Sequence, residues 1–172
     1  PNAGILGEGR MMYSIAALQP DDPFKNVLGW KDDMILFDPD AYRRFQTAFP
    51  EDTDRMVNFG NPYAGDFSVE KVVAEGADVV ILDLGNLYKA QESGVIDNLP
   101  KLGIPTVFFD FLIATTDNTV PSLLILGKIF GKEEKTFELL ASQRLKPLVS
   151  GVTSGAGSKK PTQKYPPKNP SQ

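Results

Sequence analysis

Residues 78–83 read DVVILD, an unbroken apolar run rather than an alternation of apolar and polar positions. A run of this kind is typical of a strand buried on both faces, as in a parallel sheet that helices cover. Similar short runs alternate with segments of helical spacing along the chain, at residues 3–6, 27–30, 56–59 and 104–109. We therefore predict an α/β fold, with a mostly parallel sheet flanked by helices on both faces.

The segments between the runs predict the connecting helices. Apolar residues recur at helical spacing over residues 11–18. Asp38 and Pro39 predict the next helix start, as an N-cap and a first-turn proline, and Pro50 is expected to end that helix. Residues 85–88 are predicted to form a loop. A further helix is predicted over residues 68–74, with Ser68 as N-cap. Three more are predicted over residues 92–102, 118–130 and 132–145, and Pro121 is expected in the first turn of the helix at 118–130.

The chain contains neither cysteine nor histidine. This composition excludes a disulfide framework, a thiol nucleophile, a Ser-His-Asp triad and a histidine-containing zinc centre. The hydrolase, metalloenzyme and redox classes therefore lose their usual machinery. We predict a binding protein rather than an enzyme, with no metal site and no cofactor.

Charge divides the chain into two parts. Residues 1–141 carry all 22 acids with 12 Lys and Arg, whereas residues 142–172 carry six Lys and Arg and no acid. An acidic body is not expected to bind nucleic acid. Residues 142–172 are predicted to be a helix end followed by a disordered, low-complexity basic tail. No apolar run approaches the roughly 20 residues that span a bilayer. An export signal is expected to have been removed before Pro1.

Ligands of open α/β sheets bind outside the carboxyl ends of the strands. Four segments follow predicted strands there, at residues 7–10, 60–65, 84–88 and 110–117. The first reads GEGR and matches part of a dinucleotide fingerprint, but Met12 stands where the third glycine is needed. Two interpretations of Arg10 remain open, since its guanidinium can bind an anionic oxygen of a ligand or pair with an acid of the protein.

Tyrosines in the predicted loops are further candidates for the site. Tyr63 and Tyr88 can line a cleft from loop tips, or each ring can pack against its own loop. Tyr13 is expected in the core or on the cleft floor. The acid clusters at residues 21–22, 32–33 and 51–54 are interpreted as solvated surface. The predicted ligand-binding residues are Glu8, Arg10, Asn61, Tyr63, Asn86 and Tyr88.

Three segments in order give the chain a family resemblance. They are FSVEKVVA with DVVI at residues 67–81, LGIPTVF at residues 102–108, and NTVPS with LG and GKEE between residues 118 and 134. With them, residues 3–141 resemble the N-terminal lobe of the periplasmic substrate-binding proteins of ABC importers for iron-siderophore complexes, haem and cobalamin. Glu75 to Asp78 depart from the family's Leu-x-Pro-Asp turn.

The resemblance implies a two-lobed periplasmic protein with a long helix between the lobes and an iron-chelate ligand in the cleft. It implies that Arg10, Tyr63 and Tyr88 supply half of the ligand site. Glu70 matches the family glutamate that docks on the importer permease, so the membrane is reached only through that partner. Because the residues after 145 resemble no second lobe, we expect a single truncated lobe over residues 1–141.

Two other functions remain open. The first is a small doubly wound α/β enzyme or binding module that holds a phosphorylated ligand at residues 7–10. The second is a folded fragment that binds no ligand and self-associates, for example as a homodimer, through its orphaned lobe surface.

Overall fold

The computed structural model describes residues 4–6 and 8–142, and of residues 5 and 6 it describes only the backbone. The predicted basic tail therefore lies outside the described residues, apart from its first position, Ser142, which ends a helix. Within the described residues, no helix is both long and apolar enough to cross a membrane.

The centre of the fold is a five-stranded sheet in which every strand pairing is parallel. The strand order is β3-β2-β1-β4-β5, so β1 lies in the middle. Strands β2 and β3 are added on one side of β1 and strands β4 and β5 on the other, which makes the boundary between β1 and β4 the topological switch point. Ile5 of β1 pairs with Val27 on one side and with Val79 on the other. The strands are β1 (Ile5–Leu6), β2 (Val27–Trp30), β3 (Val57–Asn58), β4 (Val79–Asp83) and β5 (Thr106–Phe109). The predicted fold class is confirmed.

Helices connect the strands and cover both faces of the sheet. Two predicted caps are present: Asp38 accepts a hydrogen bond from the N–H of Ala41, and Ser68 accepts one from the N–H of Lys71. Each satisfies an N–H group that the first helical turn leaves unpaired. The helices are α1 (Met12–Leu18), α2 (Asp33–Phe37), α3 (Pro39–Ala48), α4 (Pro50–Arg55), α5 (Val69–Ala74), α6 (Leu87–Glu92), α7 (Val95–Lys101), α8 (Thr115–Ile129) and α9 (Glu133–Ser142).

Helix α3 ends before Pro50, as predicted, but Pro50 also begins α4, which was not predicted, since proline fits the first position of a helix. Two helix predictions were wrong in detail. Residues 92–102 are not one helix, because Gly94 adopts a positive φ of 74° and separates α6 from α7. Helix α8 begins at Thr115, so Pro121 lies in its interior instead of its first turn. The short helix α2 was not predicted.

Two apolar layers lie on opposite faces of the sheet. On one face, helices α1 and α8 and the aromatic residues around Trp30 pack against β2, β4 and β5, with the ring centroids of Phe24 and Trp30 5.7 Å apart in an edge-to-face arrangement. On the other face, α5, α6 and α7 pack against β4 through Val72, Ala90 and Leu99. All five residues of β4 are buried, as the unbroken apolar run at 78–83 predicted.

Candidate functional site

A cavity of about 260 Å³ opens at the carboxyl ends of β1, β4 and β5, at the switch point of the strand order between β1 and β4. This switch point is where open α/β sheets bind their ligands. The lining combines charged, hydroxyl and apolar side chains: Glu8, Arg10, Met11, Tyr13, Ser14, Asp83, Phe109, Phe111 and Leu112. The cavity is therefore our candidate functional site.

The turn after β1 is held by a buried acid from another part of the chain. Asp33, 3% exposed, accepts a hydrogen bond from the N–H of Gly9 at 2.9 Å and pairs with Nε of Arg10 at 2.8 Å. The hydrogen bond to Asp33 raises the pKa of Arg10 above its ordinary value. A carboxylate of the protein thus occupies the position that a ligand phosphate would take at this turn. The interpretation of residues 32–33 as solvated surface was wrong for Asp33.

A second buried ion pair joins the ends of β1, β2 and β4. One carboxylate oxygen of Glu8 accepts hydrogen bonds from the N–H of Asp83 at 2.8 Å and from the amide of Asn86 at 2.6 Å. The other oxygen lies 2.9 Å from Nζ of Lys31. Burial raises the pKa of Glu8, and the positive charge of Lys31 partly offsets this effect. Glu8 and Asn86 therefore hold the cavity wall together.

Asp83 ends β4 and lies in the cavity wall with 8% exposure. Among the residues that the structure describes, its carboxylate accepts one hydrogen bond, from the N–H of Gly85 at 2.8 Å. Burial raises the pKa of Asp83, and the neighbouring negative charge of Asp110 adds to the rise. Holding this acid ionised therefore costs free energy.

Asp110 follows β5 and orders the next turn. Its carboxylate accepts hydrogen bonds from the N–H groups of Leu112, Ile113 and Ala114 and from the amide of Asn118, at 2.7–2.8 Å. Burial alone raises the pKa of Asp110, but these four hydrogen bonds outweigh it and lower the pKa to about 2. The turn leaves Leu112 and Ile113 exposed, and Leu112 lines the cavity.

Tyr13 lies on α1 and forms part of the cavity lining, in line with the expected cleft floor and not the core. Its hydroxyl donates a hydrogen bond to Asp38 at 2.6 Å. Burial and this hydrogen bond raise the pKa of Tyr13 to about 12. The phenol is therefore a neutral hydrogen-bonding group at physiological pH.

The structure separates the predicted ligand residues into two groups. Glu8 and Arg10 line the cavity, and Asn86 lies behind Glu8. Tyr63, Tyr88 and Asn61 are outside the cavity lining. Both tyrosines are 67% exposed and lie near the ammonium of Lys89, which is 5.8 Å from the Tyr88 ring centroid.

Two of these residues have local structural roles that the sequence did not predict. Asn61 accepts a hydrogen bond from the N–H of Tyr63 at 2.9 Å, which shapes the loop after β3. Tyr88 belongs to the first turn of α6, so its predicted loop position was wrong.

Sequence reasoning missed Asp83, the cavity wall acid. The available signal was its position as the last residue of the clearest strand, where a polar side chain meets the ligand edge of the sheet. Glu70, the predicted docking residue, is exposed in the first turn of α5 and accepts a hydrogen bond from Ser68. Within residues 4–6 and 8–142, no group of three or more carboxylates is arranged to hold a metal ion.

Comparison with known proteins identifies the fold. The chain matches no protein-family profile and no curated protein. It is similar to the crystal structure of a TroA-like periplasmic binding protein, FepB, from Veillonella parvula, with a TM-score of 0.71, 22% identity and 91% of this chain covered. It is also similar to a periplasmic solute binding protein from Veillonella parvula DSM 2008, with a TM-score of 0.58, 21% identity and 93% coverage.

The fold is therefore that of one lobe of a TroA-like binding protein. The chain spans about half the length of both solved structures, 46% of the first and 45% of the second. Both neighbours are named as periplasmic binding proteins.

Proposed function

We propose that this chain is one lobe of a periplasmic solute-binding protein and that its ligand occupies the cavity at the ends of β1, β4 and β5. The observation that carries the proposal is the location of this cavity at the switch point of a TroA-like lobe. Because the chain spans about half of each structural neighbour, a complete cleft would need a second lobe that closes over this one.

The proposed ligand is an iron chelate of the siderophore or haem type. The name FepB of one neighbour and the family motifs in the sequence support this choice. The cavity chemistry is compatible with it, because the guanidinium of Arg10 offers N–H groups, the Tyr13 oxygen can accept a hydrogen bond while its O–H is donated to Asp38, and Phe111 and Leu112 offer apolar surface. A chain without histidine or cysteine would receive the iron already enclosed by the chelator.

The proposed partner is the permease of an ABC importer, and Glu70 is the proposed contact residue. Its exposure at the start of α5 supports this role. The protein would act in the periplasm after loss of its export signal and would meet the membrane only through the permease. In proteoliposomes containing the importer, Glu70→Lys should abolish stimulation of ATP hydrolysis. Glu75→Lys, at the opposite end of the same helix, should leave it unchanged.

Ligand binding is tested by titrating the full chain with a ferric hydroxamate, a ferric catecholate and haem while following the fluorescence of Trp30. This single tryptophan is buried directly before Lys31, which pairs with Glu8 in the cavity wall. We expect saturable quenching by at least one complex. Arg10→Gln should weaken it, whereas Arg43→Gln, exposed on α3, should not. Absence of quenching by all three complexes would contradict the iron-chelate proposal.

The phosphorylated-ligand alternative has weaker support. Asp33 already holds the N–H of Gly9 and the guanidinium of Arg10, so the turn after β1 offers a ligand little positive charge.

The self-association alternative has one observation in its favour. Leu112 and Ile113, which are consecutive in the turn after β5, both expose apolar side chains that a second copy could cover, and Tyr63 and Tyr88 are exposed elsewhere. Light scattering during size exclusion tests this alternative. A dimer that Ile113→Asp converts to a monomer would support it, and a monomer at all concentrations would contradict it.

A further inference from the structure

The charges around the cavity do not balance. Two ion pairs cancel, Arg10 with Asp33 and Lys31 with Glu8. In the part of the chain that the structure describes, neither Asp83 nor Asp110 forms an ion pair. Asp83 and Asp110 therefore leave a formal net charge of −2 among these six groups. The more distant charges of Lys31 and Arg10 offset that of Asp83 only in part.

The two acids differ in their availability to a ligand. Asp110 directs both carboxylate oxygens at four donors of its own turn. Asp83 lines the cavity, is more than nine-tenths buried, and among the described residues receives one hydrogen bond, from Gly85 to Oδ1. A buried carboxylate with remaining acceptor capacity is stabilised by a positive or hydrogen-bond-donating group.

Arg10 lines the same cavity and would by itself favour an anion. Its Nε is bonded to Asp33, however, and the two charges cancel at 2.8 Å. The outer side of the guanidinium lies against Phe37, with Cζ 5.5 Å from the ring centroid. Arg10 therefore remains a donor to neutral oxygens, while Asp83 and Asp110 carry the excess formal charge around the cavity.

Apolar side chains line the cavity beside Asp83, with Phe109 paired to Asp83 across β4 and β5 and with Phe111 and Leu112 following β5. We infer that Asp83 is a ligand-contacting residue and that the cavity takes a cationic or N–H-donating group joined to an apolar body, not an anion. This inference rests on the proposed function only where the ligand is taken to be an iron chelate. In that case Asp83 selects cationic and neutral iron chelates over anionic ones.

The test uses the full chain and two pairs of probes. The first pair is a cationic ferric hydroxamate with a free ammonium group and an anionic ferric catecholate. The second pair contains no iron and shares one ring, phenethylamine against phenylacetate. Binding is measured by calorimetry and by Trp30 fluorescence. In each pair we expect the cation to bind at least about tenfold more tightly, the effect of one charge-assisted hydrogen bond.

Two variants separate contact from folding. Asp83→Asn keeps an oxygen for the N–H of Gly85 but removes the charge, and it should abolish the preference for the cation in both pairs. Asp117→Asn removes an exposed charge from the first turn of α8, outside the cavity lining, and should preserve the preference.

Each outcome decides between the two proposals. Binding of the chelates without a charge preference would overturn the role of Asp83 and leave the proposed function standing. Tighter binding of phenethylamine with no chelate binding would support the role of Asp83 and contradict the iron-chelate function. Equal weakening of all probes by Asp83→Asn would show a structural effect and overturn the inference, as would absence of binding by all four probes.

Discussion

The ends of β4 and β5 are adjacent, and each presents an aspartate to the same edge of the sheet, yet the two acids are held in opposite ways. Asp110 receives four hydrogen bonds and its pKa falls to about 2. Asp83 receives one from Gly85, and burial raises its pKa. One carboxylate stabilises the fold, and the other is maintained at a cost. A buried charge that costs stability is characteristic of functional sites, so the contrast directs attention to Asp83.

The largest expected effect is at Asp110. Asp110→Ala should reduce the free energy of unfolding by about 3 kcal/mol, because it leaves several donors of the turn without their charged acceptor. Urea denaturation monitored by circular dichroism measures the change. Asp54→Ala, exposed on α4, is the control and should shift stability by less than about 0.5 kcal/mol. Equal shifts for both variants would remove the structural distinction of Asp110.

Lowering the pH should remove the stabilisation that the ionised Asp110 carboxylate provides. Because the pKa of Asp110 in the folded protein is about 2, below the ordinary value of 3.8, its stabilisation is complete above pH 3.8 and is lost as the pH falls through 2. The difference in unfolding free energy between the wild type and Asp110→Asn should therefore shrink between pH 4 and pH 2. A difference that stays constant over this range would contradict the lowered pKa.

Ser122 supports Asp110 through its main chain. The buried Ser122 hydroxyl accepts a hydrogen bond from the N–H of Asp110 at 2.8 Å. Ser122→Ala should cost about 1–2 kcal/mol, since it leaves that buried N–H without an acceptor. Thermal unfolding measures the loss, and Ser142→Ala, exposed at the end of α9, should show little change. A Ser122→Ala variant as stable as the wild type would indicate that another group replaces the hydroxyl.

Asp83 should respond in the opposite direction. Asp83→Asn should stabilise the protein at neutral pH by about 1 kcal/mol, because it removes a buried charge and keeps the acceptor for Gly85. The gain should be absent below pH 3.8, where the wild-type acid is protonated in both states, and should grow as the pH rises through the raised pKa of the folded protein. Destabilisation at neutral pH would show that Asp83 serves the fold, as Asp110 does.

The parts of the fold that depend on neighbouring residues could be predicted from the sequence. The DVVILD run predicted a strand buried on both faces, and Asp38 and Ser68 predicted helix starts because each caps an N–H three residues ahead. The alternation of strands and helices then predicted the carboxyl ends of the strands as the location of a ligand site, while the switch point between β1 and β4 is given by the strand order of the structure.

The site itself depends on distant residues, and prediction was weaker there. The residues next to Arg10 in the sequence do not indicate that Asp33, 23 residues away, neutralises the charge of its guanidinium. Asp33 stands next to Asp32 in an acidic pair that resembles solvated surface, and only the tertiary fold buries one of the two. Tyr63 and Tyr88 were predicted at loop tips lining a cleft, but Tyr88 lies in the first turn of α6 and both tyrosines are outside the cavity lining.

The central position of β1 also has a consequence for how the chain folds. This first strand pairs with β4, and the hydrogen bond from Asp83 to Glu8 spans 75 residues of sequence. A chain that emerges N-terminus first must therefore keep β1 incompletely paired until β4 has been synthesised. Non-local pairing of this kind slows folding, because a long loop must close before its contacts form. Closure of the sheet and assembly of the cavity wall are then one kinetic event, since the same contact accomplishes both.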